Sequence, residues 1–146
     1  MSFQRTLGRS GITISAMGMG CWAIGGPFWN GEEPQGWGEV DDNESIRAIR
    51  CALDHGITFF DTANVYGAGH SERILAKALK GERSSVVIAT KFSSLFDENT
   101  RQVTGQSALP ADIRKACEDS LRRLNTDVID LYQFHDNGYP AVKAEP

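Results

Sequence analysis

Short, nearly unbroken apolar runs alternate with amphipathic stretches along most of this chain, and that alternation restricts its fold more than any other feature. The runs are Ala16-Met17-Gly18-Met19-Gly20, Ile57-Thr58-Phe59-Phe60-Asp61, Val86-Val87-Ile88-Ala89-Thr90 and Val128-Ile129-Asp130-Leu131-Tyr132-Gln133-Phe134. None shows the apolar/polar alternation of a strand with one wet face, so each reads as a strand of a parallel sheet buried on both faces. Parallel neighbours need a long crossover between them, and the intervening stretches supply one. Asp41 and Glu44 have the spacing of a capping box, with Asp in the Ser/Thr position. Ile46, Ile49 and Leu53 follow at helical spacing beside Ala48 and Ala52, and Gly56 ends the helix. A second helix is expected over residues 71–79, with Ile74, Leu75, Ala78 and Leu79 on one face and Gly81 as its stop. Pro110 suits the first turn of a third, in which Ile113, Ala116, Cys117, Leu121 and Leu124 form an amphipathic stripe.

Ahead of this pattern, residues 3–7 and 12–15 read as a hairpin around Gly8-Arg9-Ser10-Gly11. Residues 21–40 read as a long loop holding Trp22, Trp29 and Trp37 among five glycines, and its aromatic anchors favour a lid or pocket wall. Residues 91–109 read as a polar loop. The order strand, helix, strand, helix, strand, helix, strand fits a doubly wound sheet and a (β/α)8 TIM-barrel type alike. No GxGxxG or GxxxxGK[ST] follows a strand, which favours the barrel. A barrel takes about 250 residues. The expectation is therefore a partial barrel, an N-terminal hairpin plus about the first four β/α units, with residues 1–146 the N-terminal portion of one domain and no second domain.

The formal net charge of −4 and pI of about 5.3 argue against nucleic acid or an anionic membrane as partner. No run reaches the roughly 18 apolar residues of a membrane span, and the first residues lack a signal peptide's apolar stretch, so a cytoplasmic protein is expected. Cys21, Cys51 and Cys117 have no metal-ligand spacing, and no metal is expected. Cys51 and Cys117 read as small buried thiols on helices, and Cys21 as a bystander in an accessible loop.

Polar residues at the C-terminal ends of barrel strands are candidates for chemistry, because sites on this fold sit at that face. Here the second strand ends in Asp61, followed by Tyr66; the third ends in Lys91; the fourth ends in His135. A tyrosine hydroxyl ordinarily titrates at about 10, and a neighbouring ammonium favours its phenolate. Asp61 could hold Lys91 by an ion pair, and His135 could orient a carbonyl oxygen or relay a proton. Such a set suits protonation of a carbonyl oxygen while a nicotinamide delivers hydride. Taken singly, each residue has a plainer explanation: a loop cap, a packed aromatic, a solvated charge, a structural histidine. Their alignment at three strand ends favours the joint reading.

Asp61-Thr62-Ala63-Asn64-Val65-Tyr66-Gly67 resembles the signature of the aldo-keto reductase family. Gly69-His70-Ser71-Glu72, Thr90-Lys91, Asp130-Leu131-Tyr132-Gln133-Phe134-His135, Leu7-Gly8-Arg9-Ser10-Gly11 and Gly18-Met19-Gly20-Cys21-Trp22 are similar to further segments of it. The resemblance implies a (β/α)8 barrel floored by the hairpin and NADP(H)-dependent interconversion of aldehydes or ketones with alcohols. It makes Tyr66 the general acid/base, Lys91 the group that lowers its pKa, Asp61 the partner of Lys91 and His135 the group that positions the carbonyl. It places Gly20, Cys21, Trp22 and Asp61 at the cofactor, and Trp22, Phe28, Trp29 and Trp37 at a small carbonyl substrate. It also implies that most of the NADP site lies outside this chain, and so self-association or pairing with a missing C-terminal half. The alternatives are an inactive truncated fragment, a non-catalytic binding subunit like the potassium-channel β subunits, and a Schiff-base enzyme using Lys91.

Overall fold

The computed structural model describes residues 3–135. In chain order they form β1 (Gln4–Thr6), β2 (Thr13–Ser15), β3 (Gly18–Gly20), β4 (Phe28–Asn30), β5 (Glu33–Gln35), α1 (Asp42–Asp54) and β6 (Phe59–Asp61). There follow α2 (His70–Ala78), β7 (Val87–Phe92), β8 (Ser94–Asp97), β9 (Gln102–Gln106), α3 (Pro110–Leu124) and β10 (Leu131–Phe134). β1 and β2 are the expected antiparallel hairpin. Ser15 anchors it to the start of the next unit: its Oγ accepts from Thr58 N at 2.9 Å, and its own N–H donates to Thr58 Oγ1 at 3.0 Å.

β3, β6, β7 and β10 make one parallel sheet, and their spatial order is their chain order. A doubly wound sheet reverses direction at a switch point; four strands laid down in sequence are instead an arc of a (β/α) barrel. Alternation along the strands sorts their side chains. Phe60 and Ile88 point outward into a core with Ile49 of α1 and Ile74, Leu75 and Ala78 of α2. Asp61 and Lys91 therefore belong to the opposite, inner face.

Each helix starts where local chemistry allows. Asp41 Oδ1 accepts Glu44 N at 2.9 Å to cap α1, and Pro110 opens α3. α2 starts one residue earlier than expected, at His70, with Gly69 left-handed at its cap. It packs against both α1 and α3. The α3 stripe is less covered than its periodicity suggests: Leu124 is buried, whereas Ile113, Ala116, Cys117 and Leu121 are half-buried. β6 starts at Phe59 because Ile57 N is still bonded to Ala52 O of the preceding helix, at 3.0 Å. β10 starts at Leu131, after the Asp130 carboxylate has accepted Ile88 N at 2.8 Å and Arg83 Nη2 at 2.7 Å.

Two expectations need correction. The segments 21–40 and 91–109 are not irregular loops. Each carries a hairpin, β4–β5 and β8–β9, and the hairpins join as a second sheet in the order β5-β4-β9-β8. Trp29 pairs with Gln102, Trp29 N donates to Arg101 O at 2.9 Å, and Gln102 Nε2 donates to Gly31 O at 3.3 Å. The assignments of Cys21 and Cys51 are also reversed. Cys21 is fully buried, Cys51 is exposed and Cys117 is half-buried. Cys21 turns into the helix-facing core beside Ile24, whereas Cys51 lies off the face of α1 that Ile49 buries.

A buried polar contact links three elements. Glu72 of α2 is fully buried; it accepts Thr90 Oγ1 of β7 and Arg123 Nε of α3, each at 2.6 Å. The Arg123 side chain is 8% exposed. It reaches on to Glu98 in the β8–β9 turn at 3.0 Å and lies over the Phe96 ring at 5.6 Å. Arg73 of α2 grips the same Glu98. Burial alone would raise the Glu98 carboxyl, but Arg73 and then Arg123 outweigh it and hold it below the usual carboxylate range.

Removing Glu72 leaves the buried Thr90 hydroxyl without its acceptor and the nearly buried Arg123 with Glu98 as its remaining carboxylate. Glu72→Leu is expected to cost about 3 kcal/mol, seen as a lower urea midpoint with an unchanged slope; a midpoint within error of the unsubstituted chain would contradict this account. Burial pushes the Cys21 thiol up to about 12, with Asp61 adding to the rise and Lys91 opposing it. Iodoacetamide at neutral pH is accordingly expected to label Cys51 first and Cys21 only on unfolding, by peptide mass mapping.

Candidate functional site

The inner-face position of Asp61 and Lys91 brings their charges together. Lys91 Nζ donates to Asp61 Oδ2 and to Thr62 O, each at 2.7 Å. The Lys91 side chain is 13% exposed and that of Asp61 36%, so the ammonium is largely out of water and depends on these partners. Beyond Asp61 the chain turns through a buried segment. The Thr62 hydroxyl bonds Ser71 Oγ at 2.9 Å, and Ser71 Oγ donates to Cys21 O at 2.7 Å. Asn64 N donates to Lys91 O at 3.3 Å, and Asn64 Nδ2 donates to Ser94 O at 3.0 Å. The segment is thereby tied to α2, to the end of β3 and to the base of β8.

These ties set Tyr66. Gly67 follows at φ 61°, where a Cβ would lie 1.7 Å from Gly25 O, so only glycine lets the two backbones meet. Trp22 stacks on Tyr66 with centroids 5.9 Å apart, and Lys91 Nζ lies 5.2 Å from the Tyr66 centroid. The His135 ring meets Tyr66 edge-on at 5.8 Å. His135 is held through its backbone: its N–H donates to Phe92 O at 2.9 Å, and Ser93 Oγ donates to its carbonyl at 2.6 Å. Ser93 sits at φ 113°, a conformation that costs energy for any residue but glycine and that recurs at functional sites. His135 Nδ1 is buried with no hydrogen-bond partner among the described residues. Burial, then Lys91, lower the imidazole below its usual 6.5, with Asp61 opposing. His135 is therefore a neutral ring at neutral pH.

The structure thus brings Asp61, Tyr66, Lys91 and His135 together at the C-terminal end of the parallel strands. They adjoin a cavity of about 700 Å³, with Tyr66, His135 and Trp22 in its wall. The main chain at 20–22 lies beside Asp61: Gly20 pairs with it in register, and Cys21 N donates to Asp61 O at 2.8 Å. Only the backbone of Cys21 can face the site, since its side chain is in the core. The expected aromatic residues divide. Trp37, 72% exposed, packs edge-on against Trp22 at 6.0 Å. Trp29 is outside the cavity lining, because alternation along β4 turns Phe28 and Asn30 to the cavity and Trp29 to the other face. The rest of the wall comes from Val65 and from the two hairpins through Gln35, Ser94 and residues 103–106. Val65 lies within the Asp61–Tyr66 run itself; the hairpin residues carry no motif that would have marked them. Among the described residues, no group of three or more His, Cys, Asp or Glu side chains could hold a metal ion.

A sequence profile of the Aldo/keto reductase family matches residues 16–144. Aldo-keto reductase YhdN of Bacillus subtilis (strain 168) is 46% identical over 128 residues, which are 86% of this chain and 35% of the relative. The holo form of an aldo-keto reductase from Bacillus halodurans superposes with a TM-score of 0.76 at 33% identity, over 97% of this chain and 43% of that one. An aldo/keto reductase from Klebsiella pneumoniae, solved with NADP and acetate, gives 0.65 at 29% identity, over 90% of this chain and 39% of that one. The chain therefore spans 35% to 43% of the length of these relatives. With its sequential parallel strands and this arc of a TIM barrel, the chain belongs to the aldo/keto reductase family.

Proposed function

We propose that Asp61, Tyr66, Lys91 and His135 form the proton-transfer centre of an NADP(H)-dependent oxidoreductase that interconverts aldehydes or ketones with alcohols. The observation that carries this reading is the largely buried Lys91 ammonium, fixed by Asp61 and set against the Tyr66 ring at the wall of a cavity. Tyr66 gives its proton to the carbonyl oxygen, and the nearby ammonium stabilises the phenolate left behind. Asp61 holds Lys91 where it can do so. His135, neutral and with a ring nitrogen unspent, orients the carbonyl oxygen by a hydrogen bond without competing for the proton.

The residues at the end of β3 fit a nicotinamide. A Cβ on Gly20 would meet nothing within 4 Å, so open space adjoins bare main chain next to Asp61. Gly20, the backbone of Cys21, Trp22 and Asp61 would hold the reacting end of the cofactor, which when bound supplies the hydride. The NADP of the Klebsiella pneumoniae relative supports the choice of cofactor. The remainder of the cofactor site is assigned to residues beyond this chain, as part of the same single barrel domain. Trp22 and Phe28 are the aromatic wall for the substrate; Trp37 acts through Trp22, and Trp29 holds the hairpins together.

Consumption of NADPH with an aromatic aldehyde, followed by absorbance, is expected to fall by about 10²- to 10⁴-fold in Tyr66→Phe; an unchanged rate would remove Tyr66 from this role. No turnover by the unsubstituted chain would instead favour an inactive fragment or a non-catalytic binding subunit. His135 gives a pH signature. Above its unfolded value of about 6.5, both folded and unfolded states hold a neutral ring. Below it the unfolded state takes up the proton first, so stability falls as pH drops toward the lower folded value. Urea midpoints between pH 7 and 5 are expected to decline less in His135→Gln than in the unsubstituted chain.

A further inference from the structure

The corner between the two sheets is a single residue. β7 ends at Phe92 and β8 starts at Ser94, so Ser93 carries the chain from the parallel sheet into the hairpin sheet. It is 3% exposed and sits at φ 113°. Among the described residues, the other non-glycine positions with positive φ are Ala68, Arg101 and Asn125, at 53°, 56° and 51°. Those values fall inside the left-handed well that L-residues reach. Ser93 lies far outside it, at an angle where a Cβ costs energy that glycine avoids. What serine adds over glycine at this corner is a hydroxyl, and the hydroxyl has a defined partner.

Ser93 Oγ donates to His135 O at 2.6 Å. His135 follows the last register pair of β10 with β7, Phe134 with Phe92, and its N–H donates to Phe92 O at 2.9 Å. With the carbonyl taken by Ser93, the N–H and the C=O of His135 are both held, and the direction of its Cα–Cβ bond is set with them. The ring has no comparable anchor: Nδ1 is buried without a partner among the described residues, and the ring meets Tyr66 edge-on. The corner itself is braced, because Ser107 N donates to Ser93 O at 2.8 Å from the far end of the β8–β9 hairpin.

We infer that Ser93 is a positioning residue for His135: its hydroxyl, presented by a backbone angle that glycine would adopt with less strain, fixes the direction from which the imidazole meets Tyr66. Ser93 is outside the cavity wall, so it acts through His135. Its bearing on the reaction rests on the reductase reading of the same site.

The test separates stability from position. Ser93→Gly removes hydroxyl and strain together. Relief of the strained angle offsets the lost hydrogen bond, so its urea midpoint is expected to be no lower than that of the unsubstituted chain. Ser93→Ala removes the hydroxyl and keeps the strain, so its midpoint is expected to fall. The ring is read without cofactor, by NMR titration of the imidazoles of the whole chain, with His135 assigned from the spectrum of His135→Gln and the other histidine signals as internal reference. In the fold, burial and then Lys91 of β7 act against the charged ring, and Asp61 of β6 acts for it. A ring freed toward solvent loses most of that bias, so the His135 midpoint is expected to rise toward its usual 6.5 in both variants. With NADPH and an aromatic aldehyde, kcat is expected to fall about tenfold or more in Ser93→Gly, with KM changed less. An unmoved His135 titration overturns the inference. So does a Ser93→Gly chain that is less stable than the unsubstituted one or does not fold, because the serine would then serve the fold. A shifted titration with kcat unchanged removes Ser93 from the reaction and overturns the inference as well. A shifted titration in a chain that turns over nothing even unsubstituted supports the positioning and sinks the reductase reading.

Discussion

A fully buried carboxylate must find partners or it unfolds its surroundings, and Glu72 imposes that demand on most of this structure. Its partners come from separate elements, Thr90 from β7 and Arg123 from α3. Satisfying Glu72 therefore fixes how α2 and α3 sit over the sheet. Arg123 has donors left over, and these extend the arrangement to Glu98, pinning the β8–β9 hairpin to the helices. That hairpin is a cavity wall, and it holds β4 in turn through Trp29 and Gln102. An ion pair of this kind adds little net stability over a well-packed apolar substitute. Its effect here is geometric, since an apolar cluster could slide where a carboxylate, a hydroxyl and a guanidinium cannot.

The same economy places the chemistry. Residues that alternate outward from β6 and β7 fill the helix-facing core, so those that alternate inward are free to be charged. Asp61 and Lys91 are such residues, and their register at adjacent strand ends makes the ion pair nearly inevitable once the strands pair in parallel. Tyr66 is on no strand and needs other means. The contact of Gly25 with Gly67, the hydroxyl chain through Thr62 and Ser71, and Asn64 bridging to Ser94 hold its loop from three sides.

What could be read in the sequence and what could not divide along the same physical line. The parallel strands, the helices and the convergence of Asp61, Lys91 and His135 were legible because each rests on local periodicity or on a strand end, whereas Tyr66 was marked only by the run that follows β6. The second sheet was not. β5 is Glu33-Pro34-Gln35 and shows no apolar alternation, and its stability comes from neighbours far away in sequence. The proline is tolerated because β5 is an edge strand. Cys21 was misplaced for a related reason: it follows a glycine-rich strand end, and nothing local reveals that the chain there turns its side chain into the core. Trp29 reads as a pocket aromatic in sequence and holds two hairpins together in space.

The four site residues also differ in how much of the fold each depends on. Asp61 and Lys91 belong to β6 and β7, the inner strands of the parallel sheet, each flanked on both sides. His135 follows β10, which pairs only with β7 among the described residues, and no side-chain hydrogen bond from those residues reaches its Nδ1. Its place is set by backbone bonds to Phe92 and Ser93. The strain at Ser93 then has a purpose: the turn that lets its hydroxyl reach the His135 carbonyl fastens an edge residue to the interior strand that carries Lys91. The Tyr66 loop, through Asn64, the Lys91 ammonium and the His135 imidazole are thereby referred to one element, β7, and keep their mutual geometry through it.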